Sequence, residues 1–221
     1  MKTPRLHMRA PLIAGIFAAL LTGCVAQPTK PQDMSAFKAA APRSILVVPT
    51  VNKSLDVDAS NYVLATLPVP LAEKGYYVFP VNTTKFVLEQ EGMYEGERIH
   101  EQPPEALAKL FDADAVLYVT INRWDAQYAV ITTTVTVDFD YRLVARDGTE
   151  IWKEHKTMQY QPQNNNSSGP PLAQLISMLV EAAVTRAAPN YMPLAQSANR
   201  QVFVFGPNAI PDGPYKVSDK K

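Results

Sequence analysis

Asp138 and Asp140 stand two residues apart inside a run of strict apolar–polar alternation, so both carboxyl groups project from one face of a strand. Paired carboxylates are the material of general acid–base hydrolysis, and Glu154 on the next strand would make a third member of such a site. One strand does not fix the separation of two carboxyls across a cleft, and the neighbours Thr134, Thr136 and Arg142 make a solvated sheet face the simpler expectation. His100 lies among Glu95, Glu97 and Glu101, and its one local metal-binding companion would be Glu97. A metal needs more ligands than that, so a charged loop is expected. The chain has no Gly-x-Ser-x-Gly elbow, no Walker loop and no Gly-x-Gly-x-x-Gly. Trp124, Tyr128 and Trp152 are candidates for an aromatic contact patch, with core or rim packing the plainer expectation. The residues therefore predict no enzyme, no metal and no cofactor.

Cys24 is the single cysteine of the 221 residues. Lys2, Arg5 and Arg9 precede it as a basic segment, and Ala10 to Leu21 is an apolar run of twelve. That run is shorter than the ~20 residues that span a bilayer and suits a secretory signal. The motif Leu21-Thr22-Gly23-Cys24 is similar to a lipobox, in which the thiol takes a diacylglyceryl group and the chain is cut between Gly23 and Cys24. With its thiol consumed, the mature protein has no disulfide and depends on a packed core. Val25 follows the cysteine where inner-membrane retention typically uses Asp, which favours the outer membrane, with the domain in the periplasm or at the cell surface. Three of the 21 basic residues fall in the first 23, leaving 18 against 21 acidic, a balance that argues against nucleic acid as a partner.

The elements that must position these residues are readable in outline. Residues 1–23 are the signal, and 24–42 read as a lipidated N-terminus and flexible tether rich in Pro, Gln and Ala. Residues 43–205 read as one α+β domain. Ser44 to Pro49 is a buried strand. Ser60 to Lys74 is helical with Val63, Leu67 and Leu71 on one side, split by Pro68 and Pro70, and Tyr76 to Val81 is a second strand. Strand, helix and strand make a βαβ unit. Asn82 or Thr83 caps a helix that closes at Gly92, Met93 to Gln102 reads as irregular, and Glu105 to Phe111 as a further helix. Ala115 to Ile121 is a third buried strand. Ile131 to Leu143 alternates strictly, Asp147-Gly148 makes a hairpin turn, and Glu150 to Tyr160 returns. This predicts a mixed sheet that begins parallel and ends as an antiparallel meander, with helices mainly on one face. Gln161 to Pro171 reads as a loop, and the stripe Leu172, Leu175, Ile176, Leu179, Val180 and Ala183 as an amphipathic helix. A short helix over Leu194 to Asn199 and an extended tail over 206–221 complete the chain.

The strand Ile45-Leu46-Val47-Val48-Pro49, the strand Tyr76-Tyr77-Val78-Phe79, Ala113-Asp114-Ala115-Val116 entering the third, and the Asp147-Gly148-Thr149 hairpin resemble a family of bacterial lipoproteins of unknown function. One of its members is a meningococcal surface lipoprotein antigen. The layout is similar, more distantly, to the N-terminal domain of TolB, to the periplasmic domain of CsgG, a curli secretion lipoprotein, and to LpoB, an activator of peptidoglycan synthesis. The resemblance implies a membrane-anchored, non-catalytic component or accessory of a cell-envelope assembly or transport complex, with an envelope protein as partner, such as a CsgG-like lipoprotein. It carries over no catalytic residue. Two alternatives remain: an activator of peptidoglycan synthesis, and an envelope hydrolase using Asp138, Asp140 and Glu154. Contacts to a partner are expected at a sheet edge, the loop or the tail, with Thr134, Asn165 and Tyr215 as marker positions. Self-association stays open.

Overall fold

The structure is a computed structural model that describes residues 32–128, 133–160 and 191–217. Helix α1 (Ser35–Ala40) leads into β1 (Ser44–Val47) and the two-residue β2 (Val51–Asn52). Helices α2 (Ala59–Thr66) and α3 (Pro68–Glu73) follow, then β3 (Tyr77–Val78). Next come α4 (Val81–Gln90), α5 (Gly96–His100) and α6 (Pro104–Phe111), and the long strands β4 (Ala115–Tyr128), β5 (Thr133–Ala145) and β6 (Glu150–Tyr160). Helix α7 (Met192–Arg200) runs directly into a π-helical turn over Gln201–Phe205.

The sheet order is β3-β1-β4-β5-β6, with β2 also pairing β4. Strands β3, β1, β2 and β4 are mutually parallel where they pair, and β4, β5 and β6 are antiparallel. This is the mixed sheet that the change of pattern predicts. In β1 both faces are apolar, because Ile45 and Val47 enter one core while Leu46 and Val48 enter another. The larger core contains Val135, Val137, Phe139, Tyr141 and Leu143 of β5 and is covered by α2, α3, α7 and the π turn. The smaller lies on the other face, where Leu88, Ile99 and Leu107 of α4, α5 and α6 meet Leu46, Val116 and Tyr118. Helices thus cover both faces of the parallel strands, with the larger mass on one side.

Pro68 opens α3 at its first turn and divides the helix from α2, with Leu67 fully buried at the joint. Gly75 then takes φ +87°, and a Cβ there would strike the backbone of Lys216. Asn82 and Thr83 are not caps. Helix α4 starts at Val81, and the Pro80 carbonyl accepts from the Thr84 N–H at 2.9 Å. The segment expected to be irregular before Gln102 contains α5, whose single Ile99 plugs the smaller core. One apolar residue among glutamates gives no periodicity, so this helix is held by packing and not by pattern.

Strand β4 reaches seven residues beyond the apolar run read from the sequence. A bulge makes this possible: Ile121 pairs Phe139 and Arg123 pairs Asp138, so Asn122 is the extra residue. Ile121 and Trp124, three apart, therefore both enter the core, and the alternation expected of a strand is broken where the strand continues.

Both ends of the described chain depart from the sequence expectation. Residues 32–42 are not all tether, because Phe37 of α1 is buried edge-on against Tyr76 at a centroid distance of 6.3 Å. The tail from Gly206 also docks. Ile210 is buried, the Tyr76 hydroxyl donates to the Pro211 carbonyl at 2.7 Å, and Lys74 pairs Asp212 at 2.6 Å. The predicted loop at 161–171 and the amphipathic stripe at 172–188 lie outside the described residues, as does the signal with Gly23 and Cys24.

Candidate functional site

The register of the antiparallel strands sorts the candidate carboxylates. Asp138 pairs Thr157 and Asp140 pairs His155, so these four side chains share one face. Glu154 pairs Tyr141, a core residue, and so belongs to the opposite face. There it accepts from the Asn208 amide at 3.0 Å. The three carboxylates of a hydrolase are not assembled. Along this stretch even-numbered residues of β5 pair odd-numbered residues of β6, so Glu154 falls on the face opposite Asp138 and Asp140 once the hairpin register is known.

What the polar face does assemble is a closed network. The bulged Asn122 donates its amide to Asp138 Oδ1 at 3.1 Å and to Asp140 Oδ2 at 2.6 Å. Thr157 Oγ1 donates to Asp138 Oδ2 at 2.5 Å. His155 Nδ1 donates to Asp140 Oδ1 at 2.7 Å, and its Nε2 lies 3.2 Å from Thr157 Oγ1. All four carboxylate oxygens are therefore satisfied. The bond to Asp140, opposed by partial desolvation and aided by the charges of Asp138, Asp140 and Glu154, raises the His155 pKa above its ordinary value. Partial burial pulls the Asp140 carboxyl up, but the Asn122 and His155 bonds outweigh it and hold it below the usual range.

Thr157, His155 and Asp140 thus have the spacing of a hydroxyl–imidazole–carboxylate relay without its chemistry. The Thr157 proton points to Asp138, so the hydroxyl faces the imidazole as an acceptor. A hydroxyl whose proton is committed to Asp138 does not offer it to the imidazole, so the contact of a nucleophile with its base is missing. His155 is more than half exposed, and the depression that it lines with Asp140 is open to water. Among the described residues no group of three His, Cys, Asp or Glu side chains is placed to hold a metal ion.

The other candidates are structural. His100 is drawn into the smaller core, where Nε2 donates to the Pro49 carbonyl at 3.0 Å and the ring meets Tyr118 edge-on at 5.0 Å. Burial pushes its pKa down to about 4, against the pull of the Pro49 carbonyl, so it is a neutral packing residue and not a ligand paired with Glu97. Arg142 lies over the Tyr118 ring at 4.5 Å from its centroid. Trp124 and Trp152 are core residues whose indoles donate to Asp56 at 3.1 Å and to the Asn208 carbonyl at 2.8 Å. The Tyr128 side chain and Asn165 lie outside what is described. Thr134 sits on β5 paired with Gln127, while Tyr215 is exposed where the tail binds Gly75, so these two markers are not on one surface.

The sequence reads as a loop through Asn52, Lys53 and Asp56, between β2 and α2, but gives that loop no role. Asn52 accepts from the Ser54 N–H and hydroxyl at 3.0 and 2.7 Å and donates to the Asp56 carbonyl at 2.7 Å. Asp56 in turn accepts from the Asp58 N–H at 2.9 Å and from the Trp124 indole. The loop so fixed holds Leu55 at 101% and Val57 at 84% exposure. The sequence signal for this fixing is the spacing Asn-x-Ser-x-Asp-x-Asp around two aliphatics, a pattern of side chain-to-backbone turns.

Comparison with known proteins supplies the kinship. A family described as Putative lipoprotein GNA1162-like matches residues 32–215, a span that includes both docked ends. The Putative lipoprotein NMB1124/NMB1162 of Neisseria meningitidis serogroup B is 35% identical over 217 residues, covering 95% of this chain and 98% of the relative. The crystal structure of lipoprotein GNA1162 from Neisseria meningitidis is 38% identical with a TM-score of 0.55, covering 66% of this chain and 100% of that one. A PelC dodecamer from Paraburkholderia phytofirmans matches at 14% identity and a TM-score of 0.48, over 79% of this chain and 93% of that one. The chain belongs to the GNA1162-like family of putative lipoproteins.

Proposed function

We propose that this protein is a lipid-anchored, non-catalytic accessory of a cell-envelope assembly or transport complex, held at the outer membrane through Cys24. The observation that carries the non-catalytic reading is the polar face of β4, β5 and β6. Its four carboxylate oxygens are bound by the Asn122 amide, the Thr157 hydroxyl and the His155 imidazole, which supports a structural role for these groups. The lipid anchor is supported by Leu21-Thr22-Gly23-Cys24 after an apolar segment, together with membership in a lipoprotein family. Anchoring confines the domain and its partner to one surface, where an effective concentration of roughly millimolar lets weak contacts suffice.

Two measurements test this. Labelled palmitate enters the wild-type protein and not Cys24→Ser. Photo-crosslinkers at Thr134, Asn165 and Tyr215 capture one discrete envelope protein in cells. Hydrolysis of an envelope polymer by the purified protein, lost in Asp140→Asn, would replace this reading with an enzymatic one. Capture of a penicillin-binding protein would make it an activator of peptidoglycan synthesis.

A further inference from the structure

We infer that the loop carrying Leu55 and Val57 docks on the lipid surface to which the protein is anchored, so that the domain is held at the membrane in a fixed orientation and not merely leashed to it. The inference rests on the proposed lipidation of Cys24 and deepens it.

The first ground is the length of the leash. Gln32 is already fixed to the body, where its N–H donates to Asn208 Oδ1 at 3.2 Å and the same Asn208 is bonded to Glu154 of β6. Seven residues therefore separate the anchor from the body, and the eight steps from Cys24 to Gln32 reach at most about 29 Å fully extended. A tether running to Pro42 would have allowed more than twice that. A domain on so short a leash cannot keep the surface around the exit of the leash far from lipid.

The second ground is where the leash leaves the fold. Glu154 on β6 pairs Tyr141, which pairs Val119 on β4. The loop starts from β2, where Asn52 pairs Ile121 of the same β4, and the Lys53 N–H donates to the Ile121 carbonyl at 2.9 Å. From the exit to the loop base is thus three strand spacings across and two residues along, roughly 14 Å by 7 Å on the sheet. The loop lies well inside the radius that the leash allows.

The third ground is the loop itself. Leu55 and Val57 project into solvent although the backbone that bears them is pinned by Asn52, Ser54, Asp56 and the Trp124 indole. A rigid loop offers its aliphatics to an interface without an ordering cost. Asp56 spends its carboxylate inward, on Trp124 and Asp58, so the acid between the two aliphatics is already engaged, and the Lys53 ammonium turns to Asn122 Oδ1 at 3.5 Å. The paired aliphatics fit the shallow headgroup–acyl boundary. They do not form the groove that a partner helix would need.

The experiment uses the full-length, lipidated protein in phosphatidylethanolamine–phosphatidylcholine vesicles. With Cys24 acylated, a cysteine introduced as Leu55→Cys or Val57→Cys is the one thiol to carry an environment-sensitive fluorophore, and Phe86→Cys on α4 is the control. The emission at 55 and 57 is expected to shift to the blue and to be quenched by lipid-borne quenchers, while that at 86 stays aqueous. In Val57→Asp the shift of the 55 probe is expected to be lost although the protein still floats with the vesicles. Flotation with all three probes aqueous overturns the inference and leaves the anchor standing. Failure to float overturns the anchor instead. Shielding of the 55 probe that appears only when a second protein is added also overturns it, and makes the loop a protein contact.

Discussion

The Tyr141 hydroxyl donates to Asn199 Oδ1 at 2.6 Å, and both residues are buried. Asn199 Nδ2 donates onward to Thr66 Oγ1 at 2.7 Å, and the Thr66 hydroxyl donates to the Val63 carbonyl at 2.7 Å. Strand β5, helix α7 and helix α2 are thereby tied by one polar thread through an apolar core. Apolar contacts tolerate sliding of a helix over a sheet, whereas this thread closes only in one register.

Asn199→Leu is expected to destabilise the protein by about 2–4 kcal/mol, because it leaves the Tyr141 hydroxyl buried without an acceptor and Thr66 without its donor. Tyr141→Phe should cost only about 1 kcal/mol, since the asparagine loses one of its bonds and no donor is stranded. Adding Tyr141→Phe to Asn199→Leu should recover part of the loss. Urea titrations of the three variants measure the coupling, and strict additivity would show that the thread carries no cooperative energy.

The smaller core makes the opposite case. The Tyr118 hydroxyl is buried and has no hydrogen-bond partner among the described residues, while its ring contacts both His100 and Arg142. Burial pushes its pKa up to about 12. Tyr118→Phe removes an unsatisfied group and keeps both ring contacts, so it should leave stability unchanged or raise it by about 1 kcal/mol. A loss above 1 kcal/mol in a denaturation curve would reveal a partner for the hydroxyl.

These two networks mark how far a sequence can be read. The alternation from Val135 to Leu143 and the Asp-Gly turn are local signals, and they position β5, β6 and the polar face correctly. The split at Pro68 is local as well. Asn199 and Thr66 are 133 residues apart, and a lone polar residue in a helix gives no sign that it will be buried. Glu154 looked like a companion of Asp140 because composition ignores parity, and only the hairpin register sends the two to opposite faces. The network around His155 went unseen for a related reason: its Asn122 arises from a bulge, which no alternation announces.

The docked N-terminal segment gives a third prediction. Residues 32–42 lack apolar periodicity, yet Phe37 fills a place beside Tyr76 and is 3% exposed. One large side chain is enough to convert a tether into part of the fold. Phe37→Ala should cost about 3–4 kcal/mol. A chain shortened to begin at Arg43 should melt lower than one beginning at Gln32, by more than the few degrees that loss of a free tail produces. Equal melting temperatures would return the segment to the status of a leash and lengthen the reach of the anchor.

The two histidines of the described body should act on stability with opposite sign. His100 titrates near 4 in the folded protein against 6.5 when exposed. Above pH 6.5 it is neutral in both states and has no effect. Between 6.5 and about 4 the unfolded chain takes up a proton that the folded one refuses, so stability falls as the solution is acidified, by an amount on the order of 2–3 kcal/mol. His155 is raised above 6.5 by the Asp140 bond. Its contribution is fully present below pH 6.5 and is lost as pH rises through the folded value. It should be small, because the pair is exposed and screened by solvent. Urea titrations from pH 4.5 to 8.5 separate the two. His100→Gln keeps a donor for the Pro49 carbonyl and should flatten the acid limb, whereas His155→Gln should leave that limb intact and remove a shallow decline above neutrality. An acid limb unchanged in His100→Gln would mean that the carboxylates, and not the buried imidazole, set acid stability. A high-pH decline unchanged in His155→Gln would mean that the Asp140–His155 pair is worth nothing to the fold.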